Sequence, residues 1–267
     1  MPQVTMTFPE GKHKVLTLSY DDGKEADRRL VSIMNRYGIK GSFHLNSGLL
    51  GKEDRISRDE VARLYKGHEI SAHTVTHPTI ARSPKEQLIE EVIEDRKNLE
   101  SISGTTVRGM SYPNGSYNRE IKTMLPVLGI QYARTVHSTG NFHIPDDFLE
   151  WNPTCHHNEN VLQLAEEFKN LYKQQYLYMM YVWGHSYEFD NDNNWEIIEQ
   201  FCESIGNRDD IWYATNIEII DYIEAFQRLQ FAAGSEFVYN PSVQAVWLHV
   251  DGLTIKVPGG KKVDLST

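Results

Sequence analysis

Cysteine is the first scarcity. The 267 residues hold two, Cys155 and Cys202, far apart and in no ligand-type spacing. That excludes a disulfide framework and a thiolate zinc cluster, and reduced thiols fit an intracellular setting. Positive charge is also short: 27 lysines and arginines face 37 acids, a formal net charge of −10. A nucleic-acid partner is therefore not expected, since such binders carry a basic footprint. No apolar run approaches the roughly 20 residues that cross a bilayer, so no membrane partner is expected either. The opening "MPQVTMTFPEGKHK" has neither the charged nor the apolar segment of a secretory leader. As the sequence stands the expectation is cytoplasmic, and secreted if a leader precedes it. Low-complexity linkers and short-period repeats are missing too.

What is there is a regular alternation. Hydrophobic residues make up 40% and charged ones 24%, ordinary for a globular chain able to bury a sizeable core. Strand-like runs occur at "KVLTLSY", "GSFHLN", "HEISAHT", "VRGMSYP", "QYARTV", "FLEWNPTC", "YLYMMYVWGH" and "DIWYATN". Amphipathic helical patterns lie between most of them. "ADRRLVSIMNRYG" puts Leu30, Ile33, Met34 and Tyr37 on one face. Ser57 with Glu60 reads as a capping box, and Ser83 before Pro84 as an N-cap. Alternating β and α units imply a parallel sheet clothed in helices. About eight in succession favour a distorted (β/α) barrel of about seven to eight parallel strands. The tail "EFVYNPSVQAVWLHVDGLTIKVPGG" alternates with period two, so a short antiparallel extension is expected. The chain thus divides into a barrel over residues 1–232 and a C-terminal β extension over 233–267.

In such barrels functional groups gather where strands end. "LSYDDG" ends the first run with Asp21 and Asp22, adjacent carboxylates that repel unless a cation or donor compensates them. An Asp-Asp-Gly turn is the plain alternative. "SAHTVTHP" holds His73 and His77 four apart, on one side of a helical turn if helical, in a familiar metal-binding spacing. Thr74 stands where a zincin has glutamate, which argues against that class. Two histidines and one aspartate leave positions open for water and substrate.

"YDDG" together with "HTVTH" resembles the first two motifs of the polysaccharide deacetylase family (carbohydrate esterase family four, the NodB-homology domain). "RGMSYPNGSY" resembles its arginine–proline motif and "YVWGHSYEF" its late histidine motif. The four come in the family's order between residue 12 and about residue 230. The resemblance implies Asp21 as general base, Asp22, His73 and His77 as ligands of a divalent metal, and His185 as general acid. It implies Arg108 as the residue orienting the base. The metal is expected to be Zn2+, with Co2+, Ni2+ or Mn2+ as alternatives, and the substrate an acetylated saccharide. Tyr112, Pro113, Trp183 and His157 are the expected substrate contacts, with the N–H of Tyr112 or a neighbour aiding the oxyanion. Departures are Tyr20 in place of phenylalanine, a longer arginine-to-proline spacing, and Trp183 in place of leucine. Neither Trp151 nor the run Asp192–Trp195 matches the family's Asp-Trp motif, and Glu188 is a candidate partner for His185.

Other residues take plainer readings. His44 is expected as a hydrogen-bonded rim residue. His156 and His157 are substrate contacts or solvated loop. Trp195, Trp212 and Trp247 belong to core, and "EEVIEDR" is a solvated helix face. Two rivals remain: a same-fold hydrolase of cyclic imides or ureides, and a carbohydrate-binding relative without catalysis. Retention of Asp22, His73 and His77 argues against the first, and of Asp21 and His185 against the second.

Overall fold

The computed structural model describes residues 2–266. Its strands are β1 (Val4–Thr7), β2 (Lys14–Asp21), β3 (Gly41–Leu45), β4 (Glu69–Ala72), β5 (Gly109–Ser111), β6 (Tyr132–Arg134) and β7 (Cys155–His156). Then come β8 (Tyr178–Gly184), β9 (Ile211–Tyr213), β10 (Gln230–Phe231), β11 (Phe237–Tyr239), β12 (Val246–Val250), β13 (Leu253–Val257) and β14 (Lys262–Asp264). The helices are α1 (Asp27–Arg36), α2 (Arg58–Leu64), α3 (Lys85–Ser103), α4 (Arg119–Met124), α5 (Val161–Lys169), α6 (Glu188–Asn191), α7 (Trp195–Ile205) and α8 (Asn216–Gln227).

Seven strands form a curled parallel sheet in the order β6-β5-β4-β3-β2-β8-β7. An isolated parallel bridge between Arg134 and Trp151 joins β6 to the segment leading into β7, so the curl is nearly a closed barrel. Strand β9 pairs with the first half of β2, from Lys14 to Leu16, while β3 takes the second half, from Leu18 to Asp21. That split is the distortion: two strands share one edge. β2 is buried along its whole length, as a strand must be when it is flanked on both edges and covered on both faces.

Register then decides which side chains meet. Asp21 lies opposite His44, His44 opposite Ser71, Ser111 opposite Arg134, and Tyr20 opposite Gly184. Every one of these positions is at the C-terminal end of its strand. The barrel interior below them is hydrogen-bonded, not purely apolar: Thr17 donates to Asn216 at 2.7 Å and Tyr132 to Glu69 at 2.8 Å.

The chain's ends depart from the expected division. β1 pairs antiparallel with β12, so residues 4–7 join the extension, not the barrel. Residue 232 falls inside the β10–β11 hairpin. Pairing of Val4 with Val250 spans almost the whole chain, and local periodicity carries no sign of it. A second core cluster fills the space between barrel and extension, with Phe8, Tyr222, Val246 and Leu248 buried in it. Tyr222 donates to the Thr7 carbonyl at 2.7 Å, which ties β1 to α8.

Helix ends differ in detail. Ser57 occupies the N-cap of α2 without a side-chain bond, and the Glu60 carboxylate pairs with Arg28, so no capping box forms. Pro84, not Ser83, is the N-cap of α3. The capping box that does form is Thr215 with Glu218, at the start of α8. Both cysteines are buried and free. Among the described residues, no helix is long and apolar enough to cross a membrane.

Candidate active site

Asp21 and Asp22 follow one another but face different partners. Asp21 is 2% exposed. Its carboxylate accepts from Ser111 Oγ at 3.0 Å and pairs with the Arg134 guanidinium. His44 Nδ1 stands 3.3 Å away and His73 Nε2 3.7 Å. Burial opposes the charge, yet Arg134, His73 and His44 together hold Asp21 well below the ordinary carboxylate range. Asp22 has φ +83°, a left-handed conformation rare outside glycine. Its N–H donates to the His44 carbonyl at 2.9 Å, and Arg55 donates to its carbonyl. The turn carries the Asp22 carboxylate away from Arg134 and toward the histidines.

Asp22 Oδ1 lies 4.0 Å from His73 Nε2 and 3.9 Å from His77 Nε2. It is buried and makes no hydrogen bond, the nearest cation being Arg55 Nη1 at 3.5 Å. His73 Nδ1 is 2.9 Å from the Ser111 carbonyl. An Nδ1–H donated there leaves the Nε2 lone pair facing Asp22, the tautomer a metal ligand needs. Burial pushes His73 down to about 4, so it is neutral over most of the pH range. Three ligand atoms, one of them a buried carboxylate oxygen without a hydrogen bond, fit a divalent cation, and an imidazole–carboxylate set suits zinc and its neighbours.

The two histidines do not share a helical turn, contrary to the expectation from their spacing. Residues 73–79 form a loop in which Thr74 and His77 are left-handed, at φ +67° and +62°. Side chains hold that loop. Asn46 donates to the His73 carbonyl at 2.6 Å. From α3, Asp95 accepts the N–H groups of His73 at 2.9 Å and of Ser47 at 2.8 Å. Glu91 accepts from the N–H and hydroxyl of Thr76 at 2.9 and 2.5 Å. "EEVIEDR" is thus no solvated face: its inward acids grip the loop that carries His73 and His77. Burial pushes Asp95 up to about 7 against those bonds.

Across β2 stands His185, just past β8. Its Nδ1 is 3.3 Å from Glu188 Oε1, and its backbone N–H donates to Glu188 Oε2 at 2.9 Å. Burial works against its charge, but Glu188, Asp21 and Asp22 raise it above the usual histidine value. Glu188 in turn is held far below the usual carboxylate range, since its histidine partners outweigh burial. Trp183 lies beneath this group with the Arg134 guanidinium 4.3 Å from its ring centre.

Five residues sit otherwise than expected. Arg108 does not reach the base: it makes two bonds of 2.7 Å to Asp221, at the other end of the sheet. It precedes β5, so strand polarity puts it a barrel's depth from Asp21. The arginine on Asp21 is Arg134, which sits at the end of "QYARTV"; its place at a strand terminus was the available signal. His157 is 1% exposed, its ring stacked between Tyr20 and Phe189, so it is no open substrate contact. Tyr112 uses its N–H on the Arg134 carbonyl at 3.0 Å and its hydroxyl on Leu149 at 2.6 Å. Neither donor is free for an oxyanion. Pro113 is buried at the head of a turn whose Asn114 is left-handed. His44 is fully buried beside Asp21, not on the rim.

Comparison with known proteins bears on the family and the fold. Residues 9–133 match the model of the family described as polysaccharide deacetylase. A peptidoglycan-N-acetylglucosamine deacetylase of Listeria monocytogenes is 21% identical over 129 residues, 47% of this chain and 27% of that protein. The chain therefore spans about a quarter of the length of that relative. A solved polysaccharide deacetylase structure from Mycobacterium smegmatis superposes with a TM-score of 0.61 at 15% identity, covering 85% of this chain and 96% of the other. An allantoinase, Puue, also reaches 0.61 at 11% identity, covering 79% and 90%. At such identities these likenesses concern the fold alone.

Proposed function

Because residues 9–133 are of the polysaccharide deacetylase family, we propose that this chain is a metal-dependent hydrolase that removes acetyl groups from an N- or O-acetylated carbohydrate. One observation carries the reading: Asp22, His73 and His77 bring three ligand atoms together, the buried Asp22 oxygen making no hydrogen bond, beside an Asp21 kept ionised by Arg134. Asp22, His73 and His77 would hold the ion, Zn2+ being the first choice and Co2+, Ni2+ or Mn2+ the alternatives. When bound, such an ion polarises the acetyl carbonyl and makes a water more acidic.

The chain's own groups do the rest. Asp21 receives the proton of the attacking water, and Ser111, His44 and Arg134 fix which of its lone pairs is free. The contacts that keep it ionised also make it a weak base, so it depends on an acidified water. His185, charged through its contact with Glu188, gives a proton to the departing amine or alkoxide. Arg134 clamps the base from below and rests on Trp183, which excludes water from that side.

Acetate release from a panel of acetylated oligosaccharides, with a cyclic ureide included, tests the reading. The expectation is metal-dependent acetate release from a saccharide and none of the ureide consumed. Turnover of the ureide alone would overturn it. Asp21→Asn keeps the shape and removes the acceptor, so turnover falls by roughly 10²- to 10⁴-fold while metal stays bound. Asp22→Asn loses the metal. Identical metal titrations for the two variants would contradict this division of labour.

A further inference from the structure

A second cluster stands beside His185. His156 Nε2 is 3.1 Å from Glu188 Oε2, and His157 Nε2 is 3.4 Å from the same oxygen. All three ligand atoms lie within 4.8 Å of one another. These separations bracket the edge of about 3.3 Å that a tetrahedral shell with bonds of about 2.05 Å would have. They are shorter than the 3.9 and 4.0 Å of the Asp22 group.

His157 supplies the independent observation. It is 1% exposed, and neither ring nitrogen has a hydrogen-bond partner. A buried imidazole left this way is expensive unless something completes it. The ring is also aimed. It stacks 4.1 Å from Phe189 and 5.8 Å from Tyr20. Gly184 makes room for it, since a Cβ there would lie 2.0 Å from His157 Nδ1. Packing therefore fixes Nε2 toward Glu188 without any bond to hold it.

We propose that His156, His157 and Glu188 form a second divalent-cation site, distinct from the Asp22 group and suited to an ion that prefers imidazole, such as zinc. Two nitrogen donors disfavour magnesium and calcium, which select oxygen. His156 and Glu188 are partly exposed, at 15% and 24% of their side chains, which leaves an entry path and a fourth position for water. Loading needs a tautomer change at His156. Its proton passes from Nε2 to Nδ1, and the 3.3 Å bond from the Asn158 N–H to Nδ1 is given up. No net proton is released by that change. The site stands whether or not the chain is a deacetylase.

Equilibrium dialysis of the full chain against buffered Zn2+, followed by elemental analysis, tests it. Wild type should take up two zinc ions per chain. His156→Ala and Asp22→Asn should each retain one, and the double variant none. Cobalt-loaded Asp22→Asn should show the intense visible absorption of tetrahedral Co2+, and His156→Gln added to it should abolish that band. Circular dichroism checks that each variant is folded, and Glu188→Gln offers a second route if His156→Ala is not. Equal zinc content in wild type and a folded His156 or Glu188 variant would overturn the proposal. Failure of the Asp22 group reads differently: Asp22→Asn would then match wild type while His156→Ala still lost zinc.

Discussion

Two arginine–aspartate pairs stand at opposite ends of the same sheet. Arg108 and Asp221 are 30% and 36% exposed in their side chains, with two bonds of 2.7 Å between them. Arg134 and Asp21 are 0% and 3% exposed. The ionic chemistry is the same, and water makes the difference. At the Arg108 end solvent screens the charges and would hydrate either partner alone, so such a pair contributes little. At the Arg134 end neither charge has water to fall back on, and each exists because the other does. The exposed pair is an accessory of the surface, whereas the buried one commits the barrel to an ionised Asp21.

Breaking the buried pair should give the largest effect. Arg134→Met leaves Asp21 charged without its guanidinium partner, at a cost of about 3–5 kcal/mol in denaturant unfolding, with turnover falling alongside. Adding Asp21→Asn should restore most of that stability but none of the turnover. If the double variant is no more stable than the single, desolvated charge is not the cause.

A middle-sized effect is expected at Glu188, where exposure is intermediate. His185 is raised by Glu188 and the nearby aspartates, and Glu188 is lowered by His156 and His185 together. The raised histidine contributes stability fully below its unfolded value near 6.5 and loses it as pH climbs through the folded one. The lowered carboxylate contributes above its unfolded value near 4.5. Glu188→Gln should therefore cost most stability between about pH 4.5 and 6.5. Its alkaline activity limb should move to lower pH, because the acid loses its proton sooner. Unfolding midpoints and rate profiles against pH check both, and an unmoved limb would remove Glu188 from the tuning of His185.

The smallest effect belongs to the exposed pair. Arg108→Ala should change stability by about 0–1 kcal/mol and leave turnover where it was. A loss of turnover comparable with that of Arg134→Met would restore Arg108 to the role that motif resemblance implied.

Local chemistry along the chain was enough for the alternation of strand and helix, the barrel and the β extension. The same holds for Asp21, Asp22, His73, His77 and His185 as candidates, because strand burial and motif order are written in consecutive residues. Tertiary structure alone decided the partners. Arg134 was chosen over Arg108 by strand polarity, since Arg108 precedes β5 whereas Arg134 ends β6, which puts the two at opposite ends of the sheet. The loop holding His73 and His77 is left-handed at two positions because Asp95, Glu91 and Asn46 bind its backbone; none of the three adjoins it in sequence. Strand β1 left the barrel for the extension because its partner lies at Val246–Val250, far outside any local window. Periodicity records which face of an element avoids water, whereas a buried charge is matched only by whatever group the fold brings within reach.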